Sequence, residues 1–516
     1  MRKPPVTTKE VAAVVPTFAS REAGGEAKEV TNRGPGLIRV LGLWTSMSVV
    51  VGVMVGSGIF LKPAEIAAGT GSVAWAMAAW AAAAALSFLS VLCYLEIGTS
   101  MPQAASDYAF LRRAFGPGVS FIYGWRSVVV SGPASHASQA AAVMLFSEYY
   151  WPELANPLFT LSSPTLPWIG SIALTMSGLR LGAGLLIVGF TVLALAGIRA
   201  AGRTLLALTV VKVLFLVAIV ATPFILGRGS TGSFRNIFGP ENWVGEGVTF
   251  AGFTMAVYAA LWAFSGSRGL LRVAGEIKDP SRTLPRATVW GFIVTTLLYL
   301  LITAVCFYVL GLADVVGSPH VVSDMLERVG GPALAGLLTV VMIVSSFGSL
   351  SGTAVRAGRL PLAMAQDGLF PPSMAKVHEK TRAPVWAIVI PAVASLALAL
   401  TGSFTQLTGL VVFVSWSFVA LQILALFKLR VTEPHLPRPV RTLGYPVVPA
   451  LTLLLTIILT VTVFLQHPGR SLFGIVVVST GVPVYLAIRR RNGNGHRSPA
   501  GQGREGWTDA SSHLTE

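Results

Sequence analysis

Two polar interruptions in apolar runs and one isolated charge are the places where this chain could do chemistry. Gly56, Ser57 and Gly58 interrupt VMVGSGIFL, and Ser265, Gly266, Ser267, Arg268 and Gly269 interrupt FTMAVYAALWAFSGSRGLLRVAGEI. Glycine is a poor interior residue for a helix, so glycines around a serine make the backbone easy to unwind. Unwinding releases peptide N–H and C=O groups, which are costly in an apolar medium unless something polar meets them. Two readings are open at each stretch: a broken helix that holds a polar solute, or close helix packing through small residues.

A zwitterion suits a broken helix, because one half presents free N–H groups and the positive dipole end while the other presents free carbonyls. Its carboxylate would take the N–H groups at Gly56 to Ile59, around Ser57 and Gly58, and its ammonium the carbonyls at Ala263 and Phe264 to Gly266, including Ser265. Trp262 and Phe264 are candidates for an aromatic lid, or for plain packing. Lys212, in LTVVKVLFLVAIV, is an isolated charge in an apolar helix. Such charges are expensive at membrane depth and point to function, although a lysine near a helix end can also snorkel to the interface. In the functional reading its ammonium meets freed carbonyls of the first helix and the hydroxyls of Ser345, Ser346 or Ser349, doing the work of a bound sodium ion. An amine in that place can also titrate and couple transport to protons.

The elements that must position these residues are membrane helices. The chain is 53% hydrophobic and only 12% charged, with a mean hydropathy of +0.70, far from the usual quarter charged of a soluble domain. Segmentation by hydropathy gives about twelve spans, each long enough to cross the bilayer. They run from Leu41 to Ala67, Val73 to Ile97, Val119 to Phe146, Gly182 to Gly197, Leu205 to Leu226 and Thr249 to Val273. The second half follows with Ala287 to Leu310, Pro332 to Val355, Val385 to Leu400, Leu407 to Leu429, Val447 to Leu465 and Leu472 to Ile488.

The net charge of +16 lies in the short loops after the even-numbered spans, which is a topology signal and not a nucleic-acid footprint. Both termini are thus predicted cytoplasmic, in a multi-pass protein of the cell membrane, with polar tails over 1–36 and 491–516 flanking a transmembrane domain over 37–490. The two cysteines, Cys93 and Cys306, fall inside apolar runs and imply neither a disulfide framework nor a metal site. No cofactor motif, Walker loop, HExxH or GxSxG occurs, so ATP-driven transport and familiar membrane hydrolases have no support. His320 and Asp324 match a short His-x-x-x-Asp pattern in a loop, and His136 in the third span reads as a packed histidine.

The two interrupted helices are the first and the sixth, at corresponding positions in two successive sets of five. An odd number of spans per set inverts the second set, the sequence pointer to an inverted-repeat transporter with a midplane site. The blocks VGSGIFLKP, LCYLEIGTSMPQAASDYAFLRRAFGP, ALWAFSGSRGLLRVAGEIKDPSRTLPRA and SSFGSLSGTAVRAGRLPLAMAQDGLFPPSMAKVHEKTRAPV resemble, in order, signatures of the amino acid/polyamine/organocation superfamily of permeases, nearest its L-amino acid transporter-like branch. The resemblance implies an all-α LeuT-type fold of 5+5 inverted helices plus two, and alternating access with amino acid bound to backbone of the first and sixth helices. It also implies that Gly56, Ser57 and Gly58 match the carboxylate motif, Trp262 the gating aromatic and Lys212 the lysine that replaces sodium.

The chain departs from the family at two places. Ala105 and Ser106 stand where a Gly-Gly pair is usual, and the sixth-helix break continues Gly266, Ser267, Arg268 in place of Gly-Trp-Asn. Arg268 would repel cationic side chains if it faces the site, favouring neutral or acidic substrates, and says nothing about selectivity if it faces the cytoplasmic vestibule. Heteromeric members of the branch bond a glycoprotein through a cysteine in the loop after the third helix. Residues 151–180 hold none, so no disulfide-linked heavy subunit is expected. The expected function is a sodium-independent amino acid permease, an exchanger or proton-linked. The alternatives are a polyamine or amine exchanger of the same fold, or a nutrient receptor or channel-like relative.

Overall fold

The computed structural model describes residues 41–101, 106–162, 173–196, 202–229, 239, 247–378, 381 and 383–493. The expected N-terminal tail, the expected C-terminal tail from 494 on, and Ala105 of the helix 2–3 loop lie outside the described residues, while 491–493, placed in that tail, are the last turn of a helix. Among the described residues nine helices are long and apolar enough to cross a membrane, so the chain is a multi-pass membrane protein.

The first expected span is three pieces: α1 (Leu43–Met54), α2 (Gly58–Leu61) and α3 (Pro63–Thr70). Pro63 opens α3 without losing an intrahelical bond, and Gly71, at φ 59°, ends it in the left-handed conformation that favours glycine. Next come α4 (Val73–Ser100), the short amphipathic α5 (Ser106–Phe115), and α6 (Pro117–Arg126) joined to α7 (Gly132–Glu148) through a π turn at Ser127–Ser131. A two-stranded antiparallel hairpin follows, β1 (Pro157–Ser162) with β2 (Ala173–Ser177).

Helices α8 (Gly178–Leu195), α9 (Gly202–Ile225) and α10 (Phe250–Phe264) come after the hairpin, and a 3₁₀ segment, Ser265–Glu276, continues α10. The fourth span thus begins at Gly178, four residues before the expected Gly182, because Ser177 in extended conformation turns the hairpin directly into the helix. Thr249 caps α10 by accepting the Gly252 N–H at 3.0 Å.

The chain closes with α11 (Pro280–Leu310), α12 (Leu312–Gly317), α13 (Val321–Ala357), α14 (Arg359–Gln366), α15 (Val385–Thr401), α16 (Phe404–Thr432), α17 (Val447–Gln466), α18 (Pro468–Ser479) and α19 (Gly481–Gly493). α13 starts well before the expected Pro332, with a kink at Gly331. α16 opens on a capping box between Ser403 and Gln406.

α1 packs against α9, α11 and the 3₁₀ segment, while α10 packs against α3, α4 and α16. The two interrupted helices are therefore at the centre. Large apolar side chains also point outward, Leu185 at 73% exposure and Ile225 at 78% among them, the surface expected of helices that face lipid.

Candidate functional site

Both expected breaks are present and they touch. α1 stops at Met54, Val55 turns extended at φ −70° and ψ 93°, and helix resumes only at Gly58. The N–H groups that open α2 lie in its first turn, where no intrahelical carbonyl precedes them. α10 stops at Phe264, and the switch to 3₁₀ bonding changes which carbonyls of its last turn are used.

Glycine makes the contact between the breaks possible in both directions. A Cβ on Gly58 would lie 2.8 Å from the Ala263 Cα, and a Cβ on Gly266 would lie 2.7 Å from the Val53 carbonyl oxygen and 2.8 Å from the Met54 nitrogen. Gly56 differs, since its Cβ would meet only the Met54 oxygen, at 3.9 Å. Ser57 and Ile59 are buried beside it. Small residues thus pack the two interrupted helices together, and the breaks meet through that packing.

Lys212 on α9 does not snorkel. It is 8% exposed, and its ammonium donates to the Val55 carbonyl at 3.4 Å and to the Ser349 hydroxyl at 3.2 Å. Val55 is the residue where the first helix unwinds, so a fixed cation meets a freed carbonyl. Of the three expected serines, Ser349 is the partner. Ser345 and Ser346 lie earlier on α13, and Ser346 is buried. The polar line continues through Thr353, whose hydroxyl lies 3.0 Å from the Ser349 carbonyl oxygen and 3.1 Å from Gln139 Oε1 on α7, with one proton to give to either.

The aromatic pair separates. Trp262 packs edge to face on Phe404 at the start of α16, with centroids 6.4 Å apart. Phe264 turns away into a cluster with Trp80, Phe292 and Tyr299. Its ring packs among these aromatics on the side away from Trp262, because residues two apart on a helix point about 200° apart. Arg268 lies beyond the break: its guanidinium donates to the Tyr94 hydroxyl at 3.1 Å and stacks over the Tyr94 and Trp416 rings. Ser265 turns its hydroxyl back onto the Trp262 carbonyl at 2.7 Å.

Tyr299, Lys62 and Arg126, which the sequence did not single out, and Glu96, an acid near the end of its span, also carry polar contacts inside the bundle. Tyr299 on α11, 1% exposed, donates its hydroxyl to the Met54 carbonyl at 2.5 Å, with the Ala263 carbonyl at 3.4 Å. Lys62, 1% exposed, meets Glu65 at 2.5 Å, Thr408 at 2.9 Å and the Phe404 ring at 5.2 Å. Arg126 at the π turn stacks on Tyr123 and Phe418 and donates to Ser131 and Ser415. Glu96 receives Arg430 through two bonds of 2.8 and 2.6 Å, and the Thr442 N–H and hydroxyl at 2.8 Å each.

A shallow cleft is lined by Glu65, the ion-pair partner of Lys62, with Tyr258, Gln406, His467 and Arg470 among others. Burial, then the neighbouring Arg470, holds the His467 imidazole below its ordinary range. The His-x-x-x-Asp pattern does not assemble a catalytic pair: His320 faces Glu148 at 3.9 Å, and Asp324 accepts from Ser318. Among the described residues no three His, Cys, Asp or Glu side chains are grouped to hold a metal ion.

Residues 41–488 match the family model described as amino acid permease. The chain belongs to the amino acid permease family. It is 26% identical to the human b(0,+)-type amino acid transporter 1 over 472 residues, 90% of this chain and 92% of that protein. It is 26% identical to the human large neutral amino acids transporter small subunit 2 over 91% of this chain and 85% of the relative. To the mouse Asc-type amino acid transporter 1 it is 28% identical, over 87% and 81%. All three relatives carry the name of amino acid transporters, and this permease is accordingly a membrane transporter of amino acids and not an enzyme.

Proposed function

We propose that this permease is a sodium-independent carrier of neutral amino acids that works by alternating access, as an exchanger or with proton coupling. It has the LeuT-type arrangement of two inverted sets of five helices plus two, and it lies in the cell membrane with both termini cytoplasmic. The reading rests on one observation above the others: the Lys212 ammonium stands on the Val55 carbonyl, at the break where a carrier driven by sodium would need a mobile cation. A fixed lysine provides the charge without the gradient.

The amino acid carboxylate binds the N–H groups at Gly56 to Ile59, and the ammonium the carbonyls at Ala263 to Gly266, with Trp262 covering the site. Neutral side chains are favoured because Arg268 adds a positive charge one turn beyond the break. A polyamine substrate would need a carboxylate at the site, and the acids near the ends of the first two spans are engaged with other groups, Glu65 with Lys62 and Glu96 with Arg430. A disulfide-linked heavy subunit is not part of the reading, since Cys93 and Cys306 are both buried.

The test is uptake of a labelled amino acid panel into proteoliposomes, empty or preloaded, with and without sodium and a pH gradient. Neutral amino acid uptake stimulated by preloading and indifferent to sodium is the expected result. Sodium dependence, or uptake of amines in place of amino acids, would sink the reading.

A further inference from the structure

The carbonyls of Met54 and Ala263 belong to two different broken helices, yet both turn towards one phenol. Met54 is the last residue of α1 and Ala263 the second-last of α10, so each carbonyl sits in a helix terminus that has lost its regular partner. The Tyr299 hydroxyl lies 2.5 Å from the first and 3.4 Å from the second. A phenol has one proton to donate, so it serves the Met54 carbonyl and stands within reach of the other.

The ring that carries this hydroxyl is clamped. Trp80 meets it edge to face at 5.8 Å between centroids and Phe264 at 5.5 Å. Tyr299 is thus a donor fixed by α4, α10 and α11 at the point where the two breaks come together. Its place complements that of Lys212, which serves the Val55 carbonyl one residue further along.

We propose that Tyr299 is a positioning residue for transport. Its hydroxyl holds the breaks of the first and sixth helices in register, so that the N–H groups of one and the carbonyls of the other face a single amino acid. The proposal rests on the reading that the amino acid binds at the breaks.

Tyr299→Phe removes one oxygen and keeps the clamped ring, so the packing survives. Two readouts are taken on it: hydrogen exchange of peptides covering 50–61 and 258–270 without substrate, and KM and Vmax for a labelled neutral amino acid in proteoliposomes. The expected result is faster exchange in both peptides, KM raised about tenfold and Vmax changed less than twofold. Unchanged exchange with unchanged KM overturns the proposal, and raised KM with unchanged exchange overturns the tether, since the hydroxyl would then act on the ligand directly. Faster exchange with unchanged KM also overturns the positioning role.

Gly56→Val, measured alongside, separates the two failures. If it too leaves KM unchanged, the site reading has failed. If it raises KM while Tyr299→Phe does not, the tether alone has failed.

Discussion

The Lys62 ammonium donates to the Thr408 hydroxyl across 2.9 Å, so the segment just beyond the first break is bonded to α16. Replacing Lys62 by Met keeps the aliphatic stem and removes the bond. A hydrogen bond to a charged group contributes about 1.5–3 kcal/mol, which is a shift of about tenfold or more in a conformational equilibrium. A cysteine placed at Gln406, in the adjoining cleft, should react several-fold faster with an impermeant thiol reagent in Lys62→Met than in the parent, while Lys62→Arg stays near the parent rate. Equal rates in all three would show that the contact does not govern access to that cleft.

Lys212→Ala and Ser349→Ala should differ in degree. Removing the ammonium leaves the Val55 carbonyl bare at the first break, and exchange should fall about a hundredfold or more, in line with a loss near 3 kcal/mol. Removing the hydroxyl leaves the ammonium on the carbonyl, and a loss of about fivefold is expected. Counterflow rates at matched protein density in the membrane measure both.

Gly58→Ala should be a stability variant and Gly56→Ala a binding variant. The added methyl at Gly58 would sit 2.8 Å from the Ala263 Cα, and backbone cannot step aside cheaply, so overpacking of about 1–3 kcal/mol is expected. At Gly56 the methyl meets only the Met54 oxygen at 3.9 Å, and thermal unfolding should hardly move. Gly56→Ala should nevertheless raise KM. Equal melting temperatures for the two variants would contradict the packing described.

Glu96→Gln should destabilise without touching the breaks. The carboxylate is 1% exposed and holds Arg430, Arg438 and Thr442. Breaking a buried ion pair from one side costs about 3–5 kcal/mol. The apparent melting temperature should drop by several degrees, with KM of the surviving fraction unaltered.

The imidazole of His467 supplies a pH signature. Its folded pKa lies below the ordinary value of 6.5, so the unfolded chain binds the proton more readily and stability falls as pH drops below that value. Melting curves from pH 7.5 to 5 should show this loss in the parent and a smaller loss in His467→Gln. Parallel curves would exclude a contribution from this residue.

The glycine and serine interruptions were legible because a helix interior punishes glycine wherever it stands, and Lys212 was legible because a lone charge in an apolar run has few inexpensive explanations. For Phe264 the two readings, lid or packing, could not be separated in the sequence, because its neighbour Trp262 is two residues away and a helix turns nearly halfway round in that interval. Lys62 and Tyr299 were overlooked for a different reason. Each matters through a partner distant in the chain, Thr408 for one and Met54 for the other, and no local pattern announces such a pairing. The boundary of α8 moved for a similar cause, the hairpin before it being set by strand pairing.

One contact at the far end of the first helix bears on how the molecule can move. The Lys278 backbone N–H donates to the Leu41 carbonyl at 2.9 Å, and Leu41 and Ile277 form a parallel bridge. The start of α1 and the end of the 3₁₀ segment are therefore fastened there, and the end of α1 meets the start of that segment where Gly266 approaches Val53 and Met54. Two half-helices riveted at both ends behave as a single lever. Swinging either one outward would draw the other with it, the glycine contact acting as the fulcrum.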